Sequence, residues 1–373
     1  MNYRLGALGF LAHPELSANS SNGTSGNYGL VDQQASLHWT YENIAAFGGN
    51  PEQITIGGQS AGAASVLHQV DSPLAAGLFK QAIAESGAQD PSNPMIRSIA
   101  ESYRTNLSKA EEQGVAYLQS LNPTSIAAAR AAPIELLVSG GNDMDDTYVG
   151  TVFQNDSNYG EPPLWRPVLD GYVLPATYEE LLTSGNHNAV PVLTGGNKDE
   201  NGASPSPNVT VATFDSQLGE EMGSVGLSDD FFKLYPPVSS WSWANEYVAG
   251  VAKNTSTNGT YPAYIYYWTH APPGQDAGAY HMSEINYAFN NLYATDRPWE
   301  DADCAIAERL SDYSVNYIST GDRNGAGLPT WPANSASDQI VMKLGDAWST
   351  IPLADSQEKV NFIKEWFSKW TAY

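Results

Sequence analysis

The sequence predicts an α/β fold with a mostly parallel central sheet flanked by helices. Short apolar runs alternate with longer stretches of helical spacing, the pattern of strand–helix–strand units. Three of those runs, at residues 54–58, 190–196 and 263–270, are each followed by polar residues able to do chemistry. Parallel sheets carry such groups at the carboxyl ends of their strands. No internal repeat occurs, and no linker rich in Pro, Gly or Ser divides the chain, so residues 1–373 read as a single domain.

The elements follow in order. Residues 1–16, MNYRLGALGFLAHPEL, open in apolar material and read as the end of a strand and its loop. Residues 17–27 form a polar loop. Between residues 29 and 47 the spacing of Leu37, Tyr41 and Ile44 predicts a helix, which Gly48-Gly49 ends and Asn50-Pro51 turns away from. Residues 54–56 read as a short buried strand, and 61–70 as the helix after it. The segment FKQAIAESG, residues 79–87, is another buried run closed by a turn. Residues 101–150 are rich in Ala, Glu and Gln and read as mostly helical. VPVLTGG at 190–196 and AYIYYWTH at 263–270 are further strands, the second rich in β-forming aromatics. A last helix at 357–370 places Val360, Ile363, Phe367 and Trp370 on one face, with Asp355 or Ser356 as N-cap.

Composition narrows the function. With 17 Lys and Arg against 41 Asp and Glu, the net charge is −24. Such a chain repels phosphate backbones and anionic lipid, which argues against nucleic-acid binding. No apolar run is long enough for an integral membrane segment. Cys304, the one cysteine, cannot form an internal disulfide and reads as a small buried hydrophobe. No Cys/His cluster has metal-ligand spacing. N-x-S/T sequons at Asn19, Asn22, Asn106, Asn155, Asn208, Asn254 and Asn258, together with the acidity, predict a secreted glycoprotein.

The chemistry centres on Gly58-Gln59-Ser60-Ala61-Gly62, where an apolar run meets an Ala-rich helix. A serine on a sharp strand-to-helix turn needs small neighbours and presents its hydroxyl away from the sheet. Asn197-Lys198-Asp199-Glu200 follows the second run, and His281 lies beyond the Gly-rich loop after the third. Serine, acid, histidine is the chain order of the α/β-hydrolases. Each type has a physical role. The imidazole takes the serine proton during attack, and the carboxylate fixes its tautomer and stabilises the imidazolium. The backbone N–H of Ala61, after the serine, is one oxyanion donor in this architecture.

Residues 47–62, FGGNPEQITIGGQSAG, resemble throughout the active-serine signature of the type-B carboxylesterase/lipase family. NYRLGALGFL, GNYGLVDQQASLHWTYENIAAFGG, AIAESGA, WRPVLDGYVLP, GGNKDENG, GAYHMSEINYAF and LPTWP are similar to the same family, from residue 2 to past residue 330. The flavour is that of secreted fungal carboxylesterases. The resemblance implies an α/β-hydrolase fold and a serine carboxylesterase acting on small-molecule esters through an acyl-enzyme, without cofactor or metal. It makes Ser60 the nucleophile, Glu200 the acid and His281 the base; the pattern N-x-D-E favours Glu200 over the competing Asp199. Ser86 matches a family serine that supports the acid by hydrogen bonding, with ordinary turn packing as the alternative. His13, His38, His68, His187 and His270 read as structural.

Two departures stand out. The family often has Glu before the serine, and here it is Gln59, which weakens the case for a cationic substrate. The family's upstream oxyanion loop and first strands are not in these residues, so the expectation is an N-terminally truncated hydrolase lacking those strands. In it the triad would be intact, but the scaffold weakened and aggregation-prone, with an exposed sheet edge. The alternatives are a triacylglycerol lipase of the same family and a non-catalytic binding relative.

Overall fold

Parallel strands inside a sheet must be apolar on both faces. β3, Val192–Asn197, meets that demand and is buried at every position. In the computed structural model, which describes residues 1–88, 106–146, 149–150, 163–200, 202, 211–235, 261–335, 338–353 and 356–369, it lies inside a six-stranded sheet. The order is β1 (Thr55–Gln59), β2 (Gln81–Glu85), β3, β4 (Ala263–Trp268), β5 (Ile340–Leu344) and β6 (Ser349–Pro352). The first five run parallel, and β6 returns antiparallel to β5.

Alternation along the strands sends side chains to two different covers. Ala82, Ala84 and Val192 face the helix Ala61–Asp71, which buries Ala63, Val66, Leu67 and Val70 against them. On the other face Leu193, Tyr264, Tyr266 and Trp268 meet the helix Asp301–Thr320 through Ala307, Leu310, Tyr313 and Tyr317. Burying each large side chain stabilises the fold by roughly 1.5–3 kcal/mol. The Tyr317 hydroxyl adds a bond to the sheet itself, donating to the Ala82 carbonyl at 3.0 Å.

The structure follows the sequence reading through the middle of the chain and departs from it at particular places. Residues 1–16 are not a strand end; they form the short helices Gly6–Phe10 and, from Pro14 on, Pro14–Asn19. Pro14 sits at the first helical position and the His13 ring caps it, accepting from the Glu15 N–H at 3.1 Å. β1 is half-buried rather than buried, because among the described residues it pairs only with β2. β5 and β6 are strands the pattern did not reveal. In the 101–150 stretch the helices are Leu107–Ser120, Ile126–Ala131 and Ile134–Val138, and none follows before residue 146. Cys304 is exposed, not buried: it follows the buried Asp303 and is turned about 100° away from it around the helix. The last helix, Gln357–Phe367, has Ser356 as N-cap and buries Phe362, Ile363, Trp366 and Phe367, with Val360 at its margin. Asp355 and Trp370 lie outside the described residues. No helix among the described residues is long and apolar enough to cross a membrane.

Candidate active site

The carboxyl ends of β1, β3 and β4 converge on the predicted residues. Ser60 leaves β1 with φ 58° and ψ −120°, a strained backbone for a non-glycine residue. Two bonds hold it there. Its N–H donates to the Glu85 carbonyl at 2.8 Å, and its carbonyl accepts from the Ala64 N–H at 3.1 Å. Gly58 is required by close approach, since a Cβ there would lie 2.3 Å from the Gly62 backbone. Gly62 is different: a Cβ on it would meet nothing within 4 Å. The need for small neighbours thus applies to Gly58 alone of the two. Ala61 opens the following helix, where its N–H has no acceptor within the helix.

At the end of β3 the chain turns through Lys198 and Asp199 to Glu200. Glu200 Oε2 lies 2.5 Å from His281 Nδ1, and its other oxygen accepts from the Asn197 N–H at 2.6 Å. Asp199 points elsewhere. It pairs with the segment before His281, accepting from the Ala279 N–H at 2.9 Å and donating its own N–H to the Ala279 carbonyl at 3.0 Å. Glu200 is therefore the carboxylate that reaches the imidazole, and Asp199 fastens the loop that carries it. The hydrogen bond to Glu200 raises the His281 pKa above its ordinary value, partial burial opposes this, and the Glu200 and Glu284 charges add to the rise.

Ser60 Oγ makes no hydrogen bond to His281 among the described residues. The Gln59 amide lies on that nitrogen instead, with Nε2 at 3.0 Å from His281 Nε2. The Ser86 hydroxyl is buried against the Tyr266 phenol rather than on Glu200. Its backbone is pinned at φ 52°, with its N–H donating to the Gly195 carbonyl at 2.8 Å.

Sequence reasoning missed the layer beneath. Glu284, three residues after His281, is 2 % exposed and accepts from the Asn197 amide and from the Tyr266 hydroxyl. Burial raises its pKa. Glu85 on β2 and the buried guanidinium of Arg323 complete this charged layer. The local signal was weak, because a glutamate in a helical turn ordinarily faces water. Of the five histidines read as structural, His270 is held by two carboxylates, Asp346 at 2.7 Å and Asp303 at 2.8 Å. No cluster of three metal-ligating side chains occurs among the described residues. A cleft of about 700 Å³ opens at the opposite, amino-terminal ends of the strands, lined by Lys80, Gln81, Pro191 and Tyr264, and touches none of Ser60, Glu200 or His281.

A mostly parallel sheet with helices on both faces, and a strained serine where a strand enters a helix, define an α/β-hydrolase fold. Within that class the chain belongs to the carboxylesterase family, which it matches over residues 1–235 and 238–363. It is similar to the fumonisin B1 esterase of Sphingopyxis macrogoltabida, with 32% identity over 304 residues, covering 78% of this chain and 52% of that protein. Carboxylesterase 1C of Rattus norvegicus is 28% identical over 381 residues, covering 89% of this chain and 61% of its own length. Acylcarnitine hydrolase of the same species is 27% identical over 399 residues, covering 98% and 65%. The chain spans between about half and two-thirds of the length of these relatives.

Proposed function

We propose that the chain is a carboxylic ester hydrolase that works through an acyl-enzyme on Ser60. The observation that carries this reading is the 2.5 Å contact between His281 and Glu200, beside a serine in a strained strand-to-helix turn. With Nδ1–H donating to Glu200, Nε2 keeps the lone pair that a base needs. His281 Nε2 takes the Ser60 proton as Oγ bonds to the ester carbonyl carbon. The oxyanion that forms meets the Ala61 N–H. The imidazolium then hands the proton to the alkoxide oxygen as the carbon–oxygen bond breaks and the alcohol leaves. Water, deprotonated by the same nitrogen, attacks the acyl carbon; Oγ departs, regains its proton and releases the carboxylic acid. Esters of uncharged or anionic alcohols are the proposed substrates, since Gln59 offers no negative charge beside the serine.

Secretion and glycosylation belong to the same proposal. They are supported by the net charge of −24, the seven sequons, and the exposed positions of Asn19, Asn22 and Asn106. Asn155, Asn208, Asn254 and Asn258 lie outside the described residues.

The test is labelling with a fluorophosphonate probe and peptide mapping. Modification of Ser60 that disappears in Ser60→Ala and in His281→Ala supports the reading. Labelling elsewhere, or labelling that survives in both variants, overturns it.

A further inference from the structure

Acid and base sit on different loops, residues 197–200 after β3 and 279–284 well beyond β4. Something must hold the two loops at the spacing that a 2.5 Å carboxylate–imidazole contact requires. One fully buried residue touches both. Asn197, the last residue of β3, is 0 % exposed. Its backbone N–H donates to Glu200 Oε1 at 2.6 Å. One hydrogen of its side-chain amide goes to the carbonyl of Tyr280, next to His281, at 2.8 Å, and the other goes to Glu284 Oε2. All three N–H groups of this residue are thereby spent on the two loops. The orientation of the amide also follows from these partners, since both are acceptors.

Resting on the proposed hydrolase reading, we infer that Asn197 and Glu284 form a positioning clamp that sets the distance between the triad acid and base. Glu284 fixes the rotamer of Asn197, with its second oxygen 3.4 Å from the Tyr266 hydroxyl. Asn197 then fixes Glu200 from one side and the His281 segment from the other. Neither touches the reacting atoms. They act through the orientation of Glu200 and His281, where a displacement of about 1 Å can cost on the order of 10²-fold in rate.

The test uses the full chain and two readouts. The low-field proton resonance of His281 Nδ1–H reports the contact with Glu200 and needs no turnover. Ester hydrolysis, resolved into kcat and KM, reports its consequence. Asn197→Ala is expected to weaken or abolish the resonance and to lower kcat by about 10–100-fold with KM nearly unchanged. Glu284→Leu, which removes the acceptor, is expected to do the same. Glu284→Gln keeps a carbonyl for Asn197 and is expected to hold the resonance, with kcat within about tenfold of the parent. The double variant Asn197→Ala/Glu284→Leu is expected to be no worse than the worse single variant, because both act along one path. Should Asn197→Ala not fold, the Glu284 pair carries the comparison. An unchanged resonance and kcat in Glu284→Leu, equal losses in Glu284→Gln and Glu284→Leu, or additive losses in the double variant overturn the inference. A parent chain that shows the resonance but neither hydrolyses esters nor labels at Ser60 sinks the hydrolase reading instead, and leaves the clamp tested by the resonance alone.

Discussion

Gln59 Nε2 lies 3.0 Å from His281 Nε2, on the very lone pair that would accept the Ser60 proton. Gln59 precedes Ser60 in the chain, and the prediction is that its amide competes with the Ser60 hydroxyl for this nitrogen. Breaking one such hydrogen bond costs about 0.5–1.5 kcal/mol. Gln59→Ala is therefore expected to speed Ser60 labelling by about 2- to 10-fold at neutral pH. Slower labelling in this variant would mean that the amide assists the reaction, and the competition account would fall.

The raised His281 pKa sets the sign of the pH dependence. The base works only when neutral, so activity is expected to rise with pH through a midpoint above the ordinary histidine value of 6.5. Gln59→Glu puts a carboxylate beside the ring and should move that midpoint further up. Glu200→Gln removes the largest cause of the shift and moves it down, while kcat falls on the order of 10⁴-fold because the tautomer is no longer enforced. Rates of Ser60 labelling between pH 5 and 9 read all three; a midpoint below that of free histidine in the parent would contradict the geometry.

Ser60, Glu200 and His281 stood out as candidates because each follows an apolar run, and parallel strands deliver their carboxyl ends to one edge; the structure brings Glu200 and His281 into contact. The Gln59–His281 contact joins residues 222 positions apart and depends on rotamers, which no local pattern encodes. Asn197 was hidden for a similar reason: its partners come from a loop more than 80 residues away. The helices at residues 6–19 were misread because a short apolar run fits strand and helix equally well. β6 was missed because its four residues, STIP, have too little apolar character to stand out. Cys304 shows the limit of composition: small apolar side chains are usually buried, but one helical step past Asp303 the surface is open.

His270 deserves a test of stability rather than chemistry. Its Nε2 meets Asp303, which is 3 % exposed and also accepts from the Tyr287 hydroxyl at 2.6 Å and the Glu300 N–H at 2.8 Å. Its Nδ1 meets Asp346, after β5, at 2.7 Å. The ring ties the end of β4 to β5 and to the first turn of the helix Asp301–Thr320. His270→Leu leaves the buried carboxylate one donor short, and is expected to destabilise the fold by about 1–3 kcal/mol. Thermal unfolding should show the loss while Ser60 labelling stays near the parent rate. A variant that melts with the parent but labels slowly would move His270 into the active-site machinery.

The charged layer under the site makes folding stability fall as pH rises through neutrality. Burial pushes Glu284 up to about 7 in the fold from an ordinary 4.5, so the folded chain binds more protons than the unfolded one between those values. Glu85 is shifted the same way, to about 8, by burial and by Glu284, although it is only partly covered and water screens some of that effect. His281 adds the same sign, since its raised pKa favours the fold below 6.5 and the benefit is lost as pH passes its folded value. His68 works in the opposite direction. Burial lowers it to about 4, so stability rises with pH between that value and 6.5. Burial brings Arg323 down only to about 10, outside the window. The contributions therefore oppose each other below pH 6.5 and act together from there to about 8. Melting temperature is expected to fall across that upper interval. Glu284→Gln should flatten the fall by more than one group's share, because removing Glu284 also relieves Glu85. A melting temperature that rises from pH 6.5 to 8, or a slope untouched by Glu284→Gln, would mean that these carboxyls are ionised in the fold and neutralised by Arg323.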